Sequence, residues 1–71
     1  MKIIDELNDI LPVIFCRKDV GNLTSGVIQP GTLKNYDSMG KGPRDRFVFN
    51  RNICYHKSSF IEWLKTQIKY Q

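Results

Sequence analysis

Leu23-Thr24-Ser25-Gly26-Val27-Ile28-Gln29-Pro30-Gly31-Thr32-Leu33-Lys34-Asn35-Tyr36-Asp37-Ser38-Met39-Gly40-Lys41-Gly42-Pro43 reads as a turn, a short helix and an abrupt stop. Thr24-Ser25-Gly26 supplies the break, and Pro30 suits the first helical position, where its missing N–H costs nothing. Leu33 and Tyr36 fall on one face, whereas Gly31, Lys34, Asn35 and Ser38 follow i, i+3, i+4, i+7 spacing on another. Gly40, Gly42 and Pro43 end the helix. The outward face is small and polar, with one cation and one amide. Such a face can meet base edges in a DNA groove or stand as ordinary solvated surface. The flanking segments decide between the two.

Immediately upstream, Arg17 to Leu23 is a second helix candidate with Val20 and Leu23 facing inward, although Gly21 costs such a helix ~1 kcal/mol relative to Ala. Two short helices joined by a glycine-containing turn make a helix-turn-helix unit. Further back, Ile3, Ile4, Leu7, Ile10 and Leu11 recur at helical spacing among Asp5, Glu6, Asn8 and Asp9. The spacing predicts an amphipathic helix from about Ile3 to Leu11, stopped by Pro12. Its acidic outer face would repel DNA, so its expected role is packing, on the domain or on another protomer. Val13-Ile14-Phe15-Cys16 reads as a buried extended connection.

Downstream of Pro43 the period changes to two. Phe47 and Phe49 alternate with Arg46, Val48 and Asn50, and Ile53 and Tyr55 alternate with Asn52, Cys54 and His56. With Asn50-Arg51 as the turn, Arg46 to Tyr55 is expected to form a small β-hairpin. Two strands alone are unstable in water, so one face must rest on the helices. Ser59-Phe60-Ile61-Glu62 fits a capping box opening a final helix, with Lys57 or Ser58 as alternative starts. Phe60, Ile61, Leu64 and Ile68 form its core stripe, with Trp63 beside it.

Seventy-one residues make one small domain, 1–71, in which residues 1–14 are an N-terminal extension built on the first helix. A chain this short buries only ~60% of its unfolded surface, which argues against a deep catalytic cavity. The net charge is +4, but Lys2 against Asp5, Glu6 and Asp9 gives residues 1–9 a net −2, so the remainder carries +6. Lys34, Lys41, Arg44, Arg46, Arg51 and Lys57 cluster against only Asp37 and Asp45, an electrostatic footprint for a polyanion. No apolar run is long enough to span a bilayer. Acidic residues interrupt any export signal at the N-terminus, and bulky Phe15 precedes Cys16 where a lipoprotein would need a small residue, so a cytoplasmic, nucleoid-associated location is expected.

Cys16 and Cys54 are too few for a disulfide framework and lack paired metal-ligand spacing; they read as two reduced thiols filling apolar sites. His56 is the single histidine. It shares a strand face with Cys54, but no third group is evident to orient a catalytic pair. Neither an enzyme, a metal site nor a cofactor is expected.

In order and spacing these pieces resemble the short winged helix-turn-helix proteins of the MerR-like superfamily, especially the excisionase-like and AlpA-like DNA-binding proteins of phages and integrating elements. The resemblance covers roughly Phe15 to Leu64. It rests on Arg17-Lys18-Asp19-Val20, Leu23-Thr24-Ser25-Gly26, Pro30-Gly31-Thr32-Leu33-Lys34-Asn35, Gly40-Lys41-Gly42-Pro43, Arg46-Phe47-Val48-Phe49, Ile53-Cys54-Tyr55 and Phe60-Ile61-Glu62-Trp63-Leu64. Gln29, Asn50 and His56 stand where the family often has Ser or Thr, Gly and Pro.

The resemblance implies an α+β fold: an N-terminal helix, two helix-turn-helix helices, a two-stranded wing and a C-terminal helix. It implies double-stranded DNA as partner, with the second helix of the unit in the major groove. The expected function is that of an excisionase, which bends DNA to direct an integrase toward excision of a mobile element. A small transcriptional regulator of a phage or mobile element is the alternative, and a protein-interaction module such as an anti-repressor is a reading of a different class. An integrase and further copies of the chain on adjacent sites are the other expected partners. Full regulators of the superfamily add a dimerisation helix and an effector domain; with the sequence ending at Gln71, ligand sensing is not expected.

Residue by residue, Thr32, Lys34, Asn35 and Ser38 are assigned to the groove-facing helix, Asn35 to adenine and Lys34 to guanine or phosphate. Gln29 stands at the helix start, against base or backbone. Arg17, Lys18, Lys41, Arg44, Arg46 and Arg51 are assigned to phosphates, with Arg51 at the wing tip.

Overall fold

A computed structural model describes residues 2–69. Four α-helices and three strands follow one another as α1 (Lys2–Ile10), β1 (Ile14–Cys16), a 3₁₀ turn (Arg17–Asp19), α2 (Val20–Leu23), α3 (Pro30–Ser38), β2 (Phe47–Phe49), β3 (Asn52–His56) and α4 (Lys57–Gln67). The strands form one antiparallel sheet in the order β1-β3-β2. The fold is therefore α+β, with four helices around a three-stranded sheet.

The helix-to-helix connection owes its shape to Thr24. Its buried hydroxyl donates to the Val20 carbonyl (2.7 Å) and accepts the Ile28 N–H (3.0 Å), so one side chain closes α2 and fixes the approach to α3. Ser25 and Gly26 turn the chain through left-handed φ values of 54° and 81°. Gln29 is extended and Pro30 opens α3 as expected. At the other end Gly40 takes a φ of 71°, its N–H bonds the Asp37 carbonyl (3.1 Å) and the Lys41 N–H bonds the Tyr36 carbonyl (2.9 Å). That is a Schellman closure, which needs a left-handed residue at the position Gly40 occupies.

The sheet departs from the expected two-stranded hairpin. Asn50 and Arg51 both have positive φ (49° and 67°), the signature of a type I′ turn, and they join β2 to β3 as read from the sequence. But Val13 to Cys16 is not a buried connection. Phe15 is buried, Ile14 points out, Val13 is 72% exposed, and Ile14–Cys16 pairs with β3 as a third strand. A continuous apolar run conceals strand alternation, and pairing with β1 removes one open edge from β3. Ile10 also faces outward rather than joining the inner stripe of α1.

The start of α4 is settled by the same pairing. The Lys57 N–H, an orphan donor of the first helical turn, bonds the Val13 carbonyl at 2.8 Å. The sheet thus delivers the chain directly into the helix at Lys57, and the Ser59–Glu62 capping box does not form. Ser59 donates to Asp45 (3.2 Å), while Glu62 pairs with Lys65 (3.1 Å).

The core gathers Ile4, Leu7 and Leu11, Phe15, Val20, Ile28 and Leu33, Tyr55, and Phe60, Ile61 and Leu64. Phe15 and Phe60 meet edge to face at 4.9 Å. Trp63 lies beside the core, as expected, whereas Ile68, expected in the helix's core stripe, is extended just past the end of α4 and packs half-buried against the core. No helix among the described residues is long and apolar enough to cross a membrane.

Candidate nucleic-acid interface

Helix α3 has two chemically distinct faces. Inward, Leu33 is fully buried and Tyr36 packs edge to face on Trp63 with ring centroids 5.4 Å apart. Outward, Gly31, Thr32, Lys34, Asn35 and Ser38 are all exposed. Ser38 donates back to the Asn35 carbonyl (2.9 Å), and nothing lies within 4 Å of where a Gly31 Cβ would stand. Among the described residues, the Lys34 and Asn35 side chains have no hydrogen-bond partner, which leaves both available to a ligand. Gln29, at the start of the helix, donates its amide to the Gly26 carbonyl (3.0 Å) and so braces the turn.

Beside the first turn of α3 lies a shallow depression of ≈ 240 Å³ lined by Arg17, Lys18, Pro30, Arg51, Asn52 and Ile53. Arg17, Lys18 and Arg51, from two distant segments, thus come together beside the start of α3, where the positive end of the helix dipole favours anions. Arg51 reaches it from the hairpin turn, whose left-handed backbone brings the chain round at the tip.

Arg17 is the clearest correction among the assigned residues. It is not a free phosphate ligand. Its side chain is only 18% exposed and is spent inward: Nε donates to the Tyr55 hydroxyl (2.9 Å), and the terminal nitrogen pairs with Asp37 Oδ2 (2.5 Å). Tyr55 donates its own proton to the same oxygen (2.5 Å). Arg46 stands 3.7 Å from the other carboxylate oxygen but remains 44% exposed, so it faces both Asp37 and solvent. Lys18, Lys41, Arg44 and Arg51 are exposed. The backbone of Lys41 is held, since its carbonyl accepts the Trp63 indole N–H at 2.8 Å.

Asp37 is the residue that the sequence reading passed over. It lies one turn beyond Leu33, on the buried face, and that spacing is the signal that could have found it. Burial and the hydrogen bond to Asp37 push the Tyr55 hydroxyl up to about 12. Burial acts to lower the Arg17 guanidinium, but hydrogen bonds to Tyr55 and Asp37 outweigh it and raise the group above its ordinary value.

No protein-family model, no curated protein and no solved structure matches this chain.

The two cysteines and the histidine lie along the β1–β3 ladder. Cys16 and Cys54 sit side by side, but His56 is opposite Ile14 in the sheet and lies against the Phe47 ring at 5.2 Å. Among the described residues, no group of three His, Cys, Asp or Glu side chains is placed to hold a metal ion. Burial and the adjoining Cys16 thiol raise the Cys54 thiol above its ordinary value. On β2, an edge strand of the sheet, Phe47 is half-buried, whereas Val48 and Phe49 are 66% and 67% exposed.

Proposed function

We propose that the chain binds double-stranded DNA as a winged helix-turn-helix protein. In this reading α3 enters the major groove and the β2–β3 hairpin is the wing. The observation that carries it is the meeting of Lys18, Arg51 and the N-terminus of α3 at one shallow basic depression, continuous with a helix face of small and polar side chains. Phosphate contacts at the depression would set register, and Asn35 and Lys34 would reach base edges. Lys41, Arg44 and Arg46 are further exposed cations after α3, with Arg44 in a separate depression shared with Asp45 and Glu62, whereas Arg17 supports the basic surface from within.

Within that reading we assign the protein to the excision-directing class: several copies bound side by side bend DNA so that an integrase assembles the excisive complex. Exposed Val48 and Phe49, next to Arg51, suit this role, since apolar wedges at a basic hairpin unstack base steps and kink the duplex. Control of a promoter on the same element requires the same contacts and is the alternative.

The test is a salt titration of binding to a pool of random duplexes, with selection of the bound fraction. The expected result is a steep fall of affinity with salt and an enriched sequence motif, repeated where copies assemble. Absence of binding at low salt refutes the DNA reading and favours a protein-interaction role instead.

A further inference from the structure

Cys16 and Cys54 are 38 positions apart in the chain, yet their sulfurs lie 3.3 Å from each other. The sheet register brings them together. The Lys57 N–H bonds the Val13 carbonyl at 2.8 Å, which sets the phase of the β1–β3 ladder. Hydrogen-bonded and non-hydrogen-bonded pairs alternate in an antiparallel ladder, so Val13–Lys57 and Phe15–Tyr55 are of the first kind and Ile14–His56 and Cys16–Cys54 of the second. In a non-hydrogen-bonded pair the Cα atoms stand ~4.5 Å apart and the side chains lean together. That separation lies within the ~4.4–6.8 Å that a disulfide bridges. Both thiols are free in this structure.

We propose that Cys16 and Cys54 form a reversible disulfide site, closed by thiol–disulfide exchange with a small disulfide oxidant such as oxidised glutathione. The two sulfurs differ in access. Cys16 is half-buried at the end of its strand, whereas Cys54 is 4% exposed. Cys16 therefore reacts first. Its thiolate attacks one sulfur of the oxidant, the oxidant's S–S bond breaks, and one glutathione leaves and takes up the proton that Cys16 released. Cys54 then gives up its proton and attacks the Cys16 sulfur. The second glutathione leaves with that proton as the protein S–S bond forms. Two protein thiols are oxidised by two electrons, and one glutathione disulfide is reduced to two thiols.

The bond joins the residue that precedes Arg17 and Lys18 to the strand that continues from the hairpin tip. It closes one covalent loop around α2, α3 and β2 and holds the 3₁₀ turn against β3. This holds whatever ligand the α3 face takes, because neither cysteine belongs to that face.

The experiment equilibrates the reduced 71-residue chain with oxidised glutathione, quenches with acid, and reads intact mass and free thiols. The expected product is a monomer lighter by about 2 Da, with no titratable thiol and no retained glutathione, reversed by dithiothreitol. Cys54→Ser lacks the resolving sulfur and should retain one glutathione on Cys16. In denaturant the wild type should accumulate glutathione adducts, because the local concentration that the sheet imposes is gone. Persistence of both thiols, stable glutathione adducts on the native wild type, disulfide-linked dimers, or equal ring closure in denaturant would each overturn the proposal.

Discussion

Gly42→Ala tests how the loop after α3 is seated on the buried carboxylate. A Cβ at Gly42 would stand 1.9 Å from Asp37 Oδ1, 3.0 Å from its Cγ and 3.3 Å from its backbone nitrogen. The obstructing atom is not a loose chain end. Asp37 is held by Arg17 and Tyr55 at 2.5 Å each. Gly42 is not among the left-handed glycines, so with space available the substitution would stabilise by ~0.4–1 kcal/mol through the unfolded chain. The clash reverses that sign. Displacing the carboxylate breaks a buried ion pair, a loss of ~3–5 kcal/mol, which leaves a net destabilisation of ~2–4 kcal/mol. A domain of this length has a total stability of only ~4–10 kcal/mol at ~0.05–0.15 kcal/mol per residue. The assay is urea unfolding followed by fluorescence of Trp63, the single tryptophan, whose indole bonds the adjoining Lys41 carbonyl. The midpoint should fall with the m-value unchanged. In an Asp37→Ala background the carboxylate is absent, and Gly42→Ala should become neutral or stabilising. A cost below about 0.5 kcal/mol in the wild type, or an equal cost in both backgrounds, would refute the reasoning.

Other expectations follow from the same geometry. Gly31→Ala, with nothing within 4 Å of the new Cβ, should stabilise α3 by ~0.5–1 kcal/mol in the same unfolding assay. The Tyr55 hydroxyl ionises at about 12 when folded against an ordinary value of 10. The unfolded chain therefore loses this proton first, and its contribution is complete below pH ~10 and lost by pH ~12, about 1–2 kcal/mol after solvent screening. Melting temperatures of wild type and Tyr55→Phe across that window should converge as pH rises. If the DNA reading holds, Arg51→Ala should lower the salt slope of binding by roughly one, whereas Arg17→Ala should act mainly on stability. Asn35→Ala should cost ~1–3 kcal/mol on the selected motif and little on random duplex. Phe49→Ala should leave the fold intact and reduce DNA bending in a circular-permutation gel assay; unchanged bending would remove Phe49 as the wedge.

Much of the chain was legible as sequence because the features that shape it are local. A helix is built from contacts three and four residues apart, so Ile4 and Leu7, Leu33, and Phe60, Ile61 and Leu64 announced three helices and their inner faces. Pro30, Gly40 and the Asn50-Arg51 pair act through their own backbone dihedrals, so they marked a helix start, a helix end and a hairpin turn. The exposed polar face of α3 was equally readable, since its residues are set by the same period.

Tertiary structure decided what depends on partners distant in sequence. No local signal tells an apolar run such as Val13–Cys16 whether it will find a strand to pair with; only β3, arriving 38 residues later at Cys54, makes it β1. That pairing started α4 at Lys57 and set the two cysteines together. Burial of Asp37 turned Arg17 from an expected surface cation into half of an ion pair across 20 residues, with Tyr55 a further 18 beyond Asp37. An arginine and an aspartate carry the same charge in any sequence. Whether that charge meets water, a phosphate or its opposite is determined by which segments the folded core brings side by side.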